Sequence, residues 1–381
     1  MGDIMSTKSR EKTLVVVQLT GGNDFMNTIV PYNNPHYYDA RKTVVMKQDE
    51  VLPINDELAI NPNAAPFKRL YDEGKMAIIQ GIGYLNSNRS HFRGMDIWHT
   101  AEPDRVGNEG WLGQAVRELD PNAENVLTGV NIGMGLPRAM SVTGVPVTSI
   151  GDLEGYGVMT RIEQEKLRDR ALEAFKGLYG QALGSGAVAE YIGQTGLDVL
   201  RGADMLADVA DSYSSSVEYA DNQIAKNMRD VARVHLADLG TRIFYTSHGG
   251  YDTHANEMPS HPKLMNDLSG AISDFLDDLE EHDASDDVTV FVFTEFGRRM
   301  RDNGSGTDHG SGGGAYIFGK NVNGGLYSEY PSLDPADWEH GEDLKHTIDF
   351  RGIYATLLEQ VLDVDAKPIV KGEYEQILPF A

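Results

Sequence analysis

The chain has no cysteine among its 381 residues. That excludes disulfides, thiolate metal sites and a cysteine nucleophile, and leaves histidines, carboxylates and hydroxyls to carry any chemistry. Long hydrophobic runs are missing too: no stretch approaches the roughly 18 continuous apolar residues of a membrane span. Positive charge is scarce. Lys and Arg total 33 against 58 Asp and Glu, a formal net charge of −25. A surface of that sign repels nucleic acid and anionic membranes. Much of the excess is local, as in the acid-rich segment 274–287, which reads as a solvated face at the end of a helix and the turn after it. An anionic substrate then binds only where metal or clustered arginine reverses the local sign. No repeat or low-complexity segment stands out. The polar stretch 1–12 is expected to be flexible and is no signal peptide, which places the chain in the cytoplasm unless a leader was trimmed.

What is present is a 40% apolar content, enough for the core of one large α/β domain. The near-continuous apolar runs 14–19, 76–79, 243–245 and 288–293 read as buried strands. Helical spacing marks 64–72, with Gly74 as its stop, and the series Leu264, Leu268, Ile272, Phe275 and Leu279. The alternation predicts a three-layer αβα sandwich with a mainly parallel central sheet, spanning 13–381 as a single domain. From about 160 to 240 the pattern is almost all helical, with Val217, Ala220, Ile224, Met228 and Val231 on one stripe, and reads as a helical insertion. Within it, 212–216 is expected to end one helix and N-cap the next.

Five short segments carry possible chemistry, mostly where strands would end. SHGGYDTH at 247–254 follows the strand 243–245; its glycines allow close approach to a ligand, and Asp252, His254 and His248 offer oxygen and imidazole donors. TGGND at 20–24 places Asn23 and Asp24 after the first strand, either as a metal carboxylate or as an Asx-rich turn. NRSH at 88–91 sets Ser90 at a helix start, as a nucleophile or as a simple N-cap. Arg89 and Arg93 could contact an anionic ester or be surface charges; His91 could hydrogen-bond substrate or pair with Asp96 one turn on. Glu295 ends the strand 288–293, and Asp308 with His309 sits between glycines at 306–310, as coordination or as a tight turn with a capping His. Together Asp24, Ser90, Asp252, His254, Glu295 and His309 could hold one or two divalent ions beside a serine, a layout suited to ester hydrolysis.

The strings LTGGNDFMNTIVPY, NRSHFRGMDIWHT, GWLGQ, SHGGYDTHAN, VFTEFGRRMRDNGSGTDHGSGG and TIDFRGIYATLLE resemble the bacterial DUF1501 family, which looks like a branch of the alkaline phosphatase and sulfatase superfamily. The resemblance implies that fold, a metal-dependent hydrolase of phosphate or sulfate esters, and Ser90 as nucleophile with Arg89 and His91 beside it. It implies Asp24, Asp252, His254, Glu295 and His309 as metal ligands, Asp308 as their support, and His248 as a possible extra ligand. Phe296 stands where the superfamily commonly has a histidine, so the second site would be poorer in nitrogen. Zinc, manganese, calcium and magnesium are the candidate ions. The expected partner is an anionic ester of a small molecule or glycan; a catalytically silent member binding an anionic glycan or a protein is the alternative. Many family members carry a twin-arginine leader, which implies the periplasm if one was trimmed here.

Overall fold

The computed structural model describes residues 10–154, 156, 165–182, 186–206, 209–377 and 379–380. Its main sheet has nine strands: β1 (Thr13–Thr20), β2 (Met76–Gly83), β3 (Gly129–Ile132), β4 (Thr148–Ile150), β5 (Ile243–Gly249), β6 (Val288–Thr294), β7 (Gly313–Phe318), β8 (Gly325–Tyr327) and β9 (Ile348–Asp349). They lie in the order β8-β2-β7-β6-β1-β5-β3-β4, with β9 also on β2. Every pairing is parallel except those of β7, which runs against both β2 and β6.

The period of two along a strand decides which core each residue joins. Val15, Val17 and Leu19 of β1 enter the cluster under the helices α5 (Gln223–Leu236) and α6 (Glu257–Glu281). Leu14 and Val16 enter the opposite cluster, under α1 (His91–Thr100), α2 (Trp111–Leu119) and α7 (Phe350–Thr356). Both faces of β1 are therefore dry, which is why its sequence is nearly continuously apolar and not alternating. At about 1.5–3 kcal/mol for each fully buried aliphatic side chain, these two clusters are the main stabilising term. The fold is the three-layer α/β sandwich expected, with a mainly parallel sheet.

The helical stretch divides in two. The helices α3 (Glu165–Ala182) and α4 (Ala187–Leu206) pack on each other, whereas α5 buries Ile224, Met228 and Val231 against the sheet and belongs to the sandwich layer. The expected cap at 212–216 is corrected: a short helix ends at Ser212, but α5 is capped by Asn222, whose side chain accepts the Ala225 N–H at 2.9 Å. Ser216 instead donates its amide and hydroxyl to Glu281 of α6. Residues 155 and 157–160, and residues 1–9, lie outside the described residues. No described helix is long and apolar enough to cross a membrane.

Candidate metal centre

Three adjacent strands deliver the candidate residues to one edge of the sheet. The register sets Thr20 of β1 beside Gly249 of β5, and Leu19 beside Thr294 of β6, so the loops that follow emerge together at the carboxyl edge. Gly21 turns the first loop at φ 122°, and a Cβ there would stand 2.2 Å from the Asp252 amide nitrogen. Gly306 makes the second close approach, 2.0 Å from its would-be Cβ to the Thr253 carbonyl. It brings the short strand Thr307–His309, paired antiparallel with Arg298–Asp302, against the motif at 252–254.

His91, Asp252, His254 and His309 converge there. Asp252 Oδ1 lies 3.0 Å from His309 Nε2 and 3.2 Å from His254 Nε2, while Oδ2 lies 3.4 Å from His91 Nε2. In each ring the other nitrogen faces an oxygen that can only accept. Nδ1–H of His91 donates to Glu295 (2.9 Å), that of His254 to Asp308 (2.8 Å), and that of His309 to the Arg89 carbonyl (2.8 Å). In the neutral rings every Nε2 therefore points a lone pair inward. Two of these, on His254 and His309, face each other at 2.8 Å, and His91 Nε2 is buried with no hydrogen-bond partner. Lone pairs so placed repel unless a cation lies among them. Donors about 2.0–2.1 Å from a tetrahedral zinc stand roughly 3.3 Å apart, close to the spacings between Asp252 and the three rings. His91, Asp252 and His309 alone bring one ligand atom each within 4.8 Å of one another.

Ionisation favours the same arrangement. Burial raises the Asp252 carboxyl, but its contacts with His309 and Arg298 and the Arg298 charge outweigh it and hold the group near 2. Burial depresses His309, favouring the neutral imidazole that ligates. The His254 hydrogen bond lowers Asp308. His91 moves the other way, raised first by its hydrogen bond to Glu295; a metal ion would take the place of the second proton, on Nε2.

The other expected residues are held nearby, outside this cluster. Both oxygens of buried Asp24 are taken by Arg41, at 3.0 Å for the Nη2–Oδ1 contact. Asn23 contacts Thr28 and His261. Glu295 accepts from the Gly21 amide and from His91, so it orients a ring instead of facing the centre. His248 sits against the Tyr251 hydroxyl at 3.0 Å, with burial lowering its pKa to about 4. His91, for which Asp96 was a possible mate, joins the cluster, and Asp96 pairs with Arg93 and Arg138. Ser90 occupies the N-cap position of α1, exposed, its side chain making no cap hydrogen bond. Its neighbours on both sides touch the cluster, Arg89 through its carbonyl and His91 through its ring.

Sequence reasoning missed the supports. Arg298, fully buried, donates to the carbonyls of Gly21, Gly22, Tyr251 and Thr307 and to Asp252 Oδ1 at 2.9 Å, tying all the loops together. Phe296 lies with its ring centroid 5.0 Å from that of His91 and 4.7 Å from that of His309, forming an apolar wall. A charged residue three places past Glu295, followed by glycine-rich sequence, was the available signal for Arg298.

The family described as "Protein of unknown function (DUF1501)" matches over residues 87–367, which includes Ser90 and all four converging side chains. The chain belongs to the DUF1501 family. No curated protein matches it in sequence. Among solved structures, this DUF1501 member is similar to Ps i-CgsB, at 9% identity over 97% of this chain and 76% of that chain, with a TM-score of 0.43. It is similar to the PsFucS1 sulfatase from Pseudoalteromonas sp., at 10% identity over 98% and 72%, with a TM-score of 0.43. A protein in the alkaline phosphatase superfamily from Vibrio parahaemolyticus gives 12% identity over 96% and 69%, with a TM-score of 0.39. These likenesses concern the chain path and assign this DUF1501 member neither substrate nor reaction.

Proposed function

We propose that this protein is a metal-dependent hydrolase of phosphate or sulfate esters, with one divalent ion held by His91, Asp252, His254 and His309 and with Ser90 as nucleophile. The observation that carries the reading is the trio of histidines, each fixed through Nδ1 by an oxygen acceptor so that Nε2 converges on Asp252. That is how protein metal sites orient imidazole. Three imidazoles and one carboxylate suit zinc better than calcium or magnesium. A bound ion would supply Lewis acidity, polarising the ester oxygen and making the nearby hydroxyl easier to deprotonate.

The chain's own groups supply the rest. The amides opening α1 have no intrahelical acceptor and, with the helix dipole, favour negative charge developing beside Ser90. Ser90 Oγ bonds to the phosphorus or sulfur atom as the alcohol departs; water then cleaves the seryl ester and restores the hydroxyl. Phe92 and Leu85, 89% and 71% exposed on either side of Ser90 in sequence, offer apolar surface to the organic part of the ester, as an aryl group or a sugar face would need. The test is hydrolysis of a panel of aryl phosphates, diesters and sulfates with Ser90→Ala alongside. We expect turnover in the wild type, loss of at least about a thousandfold in the variant, and unchanged metal content in both. Full activity in Ser90→Ala would eliminate the covalent route, and stoichiometric metal with no turnover of any ester would favour a silent, ligand-binding member.

A further inference from the structure

Arg89 and Arg299 approach one buried carboxylate from two sides. Asp343 is fully buried, and its Oδ1 lies 3.7 Å from Arg89 Nη1 and 3.5 Å from Arg299 Nε. Both Asp343 oxygens, Arg89 Nη1 and Arg299 Nε are buried without a hydrogen bond of good geometry. The two arginines keep 38% and 30% of their side chains exposed, so other guanidinium donors face solvent. Each is also tied to the metal centre: the Arg89 carbonyl accepts from His309, and Arg299 Nη1 stands 4.0 Å from Asp308, the partner of His254. Asp343, Arg89, His309, His254, Asp308 and Arg299 thus close a ring.

The two guanidinium ions share Asp343, and Arg299 reaches Asp308 only at 4.0 Å, so the pair keeps donors for an anion in a chain whose net charge is −25. Planar donors in a fixed fork match a tetrahedral oxyanion. We infer that Arg89 and Arg299, positioned by Asp343, form the binding site for the phosphate or sulfate group beside the metal centre. Asp343 is a positioning residue: it sets the spacing of the arginines. The inference rests on the hydrolase reading for its substrate, but the binding itself is measurable without turnover.

The experiment is calorimetric titration of the full chain, metal-loaded and metal-stripped, with inorganic phosphate and with sulfate. Arg89→Ala and Arg299→Ala are each expected to weaken the bound anion about tenfold in both forms, with melting temperatures retained. The double variant should lose less than the product of the two, because both groups grip one anion. Arg299→Lys should recover part of the loss and raise KM more than it lowers kcat. Arg301→Ala removes an exposed arginine two residues away, paired with Glu342, and should change nothing. Wild-type affinity in both alanine variants, equal weakening in Arg301→Ala, or no binding of either anion to wild type would overturn the inference. Arginine-dependent binding without ester turnover would retain it and remove the hydrolase reading; turnover with KM unchanged in both variants would do the reverse.

Discussion

The histidine rings at the centre are aimed by atoms that do not themselves reach it. Glu295 is the clearest case, since it is almost wholly buried, holds the Gly21 amide through Oε1, and takes the Nδ1 proton of His91 on the same oxygen. Glu295→Gln keeps the shape but can present an N–H to Nδ1 and so reverse the ring's tautomer. Metal affinity measured by chelator competition should fall roughly 10–100-fold, the usual cost of losing such an outer partner. His309→Ala, which removes a proposed ligand, should leave the protein without stoichiometric metal in elemental analysis. An unchanged affinity in Glu295→Gln would mean that His91 does not ligate.

Elements matter here through how closely their ends approach. The loops after β1, β5 and β6 meet because Gly21 accepts a positive φ while Asp252 passes beside it. Gly74 also has a positive φ, 73°, but a Cβ there would meet nothing within 4 Å. Gly21→Ala should therefore destabilise by at least about 2 kcal/mol and abolish metal binding, whereas Gly74→Ala should cost about 1 kcal/mol and leave the metal in place. Thermal melts with metal analysis separate the two. Equal behaviour would show that the backbone conformation alone, and not the contact with Asp252, decides the effect.

At the scale of the molecule, a second charged cluster lies beneath the site and couples folding to pH. Asp24, Arg41 and Glu257 are all buried, and Glu257 accepts from Asn27 and from Thr307, two residues before His309. Burial, then the charge of Asp24, pushes Glu257 up to about 8 from an ordinary 4.5. Burial also raises Asp24, but the Arg41 charge together with hydrogen bonds to Glu257 and Arg41 outweighs it and lowers the group to about 2. The signs are opposite. The folded state keeps a proton on Glu257 that the unfolded chain releases, so this contribution is complete below pH 4.5 and is lost as pH rises through about 8. The Asp24 contribution is present above 3.8 and is lost as pH falls through about 2. Glu257→Gln should gain stability over wild type progressively between pH 5 and 8 in denaturant titrations; a constant difference across that range would refute the assignment. Added zinc at about 100 times its Kd should raise stability by roughly 2.7 kcal/mol, read as a shift in melting temperature.

Much of this protein was legible in its sequence because local rules carry it. Continuous apolar runs gave the buried strands, 3.6-residue spacing gave α6, and short motifs singled out Asp252, His254 and His309, which the fold brings together. The alternation of strand and helix determined the three-layer sandwich. What only the tertiary structure decided was which polar groups face one another. Asp24 and Glu295 looked like ligands, yet one is turned onto Arg41 and the other onto His91, across 17 and 204 residues of chain. Arg299 and Asp343 left no signal, because a buried charge and a solvated one are written with the same letter. The reversed strand β7 and the cap at Asn222 were lost for a related reason: strand direction and cap choice follow from packing against distant partners. Chain periodicity fixes burial, and long-range pairing fixes electrostatics, so the sequence determined the scaffold and its edge while the folded structure alone composed the site.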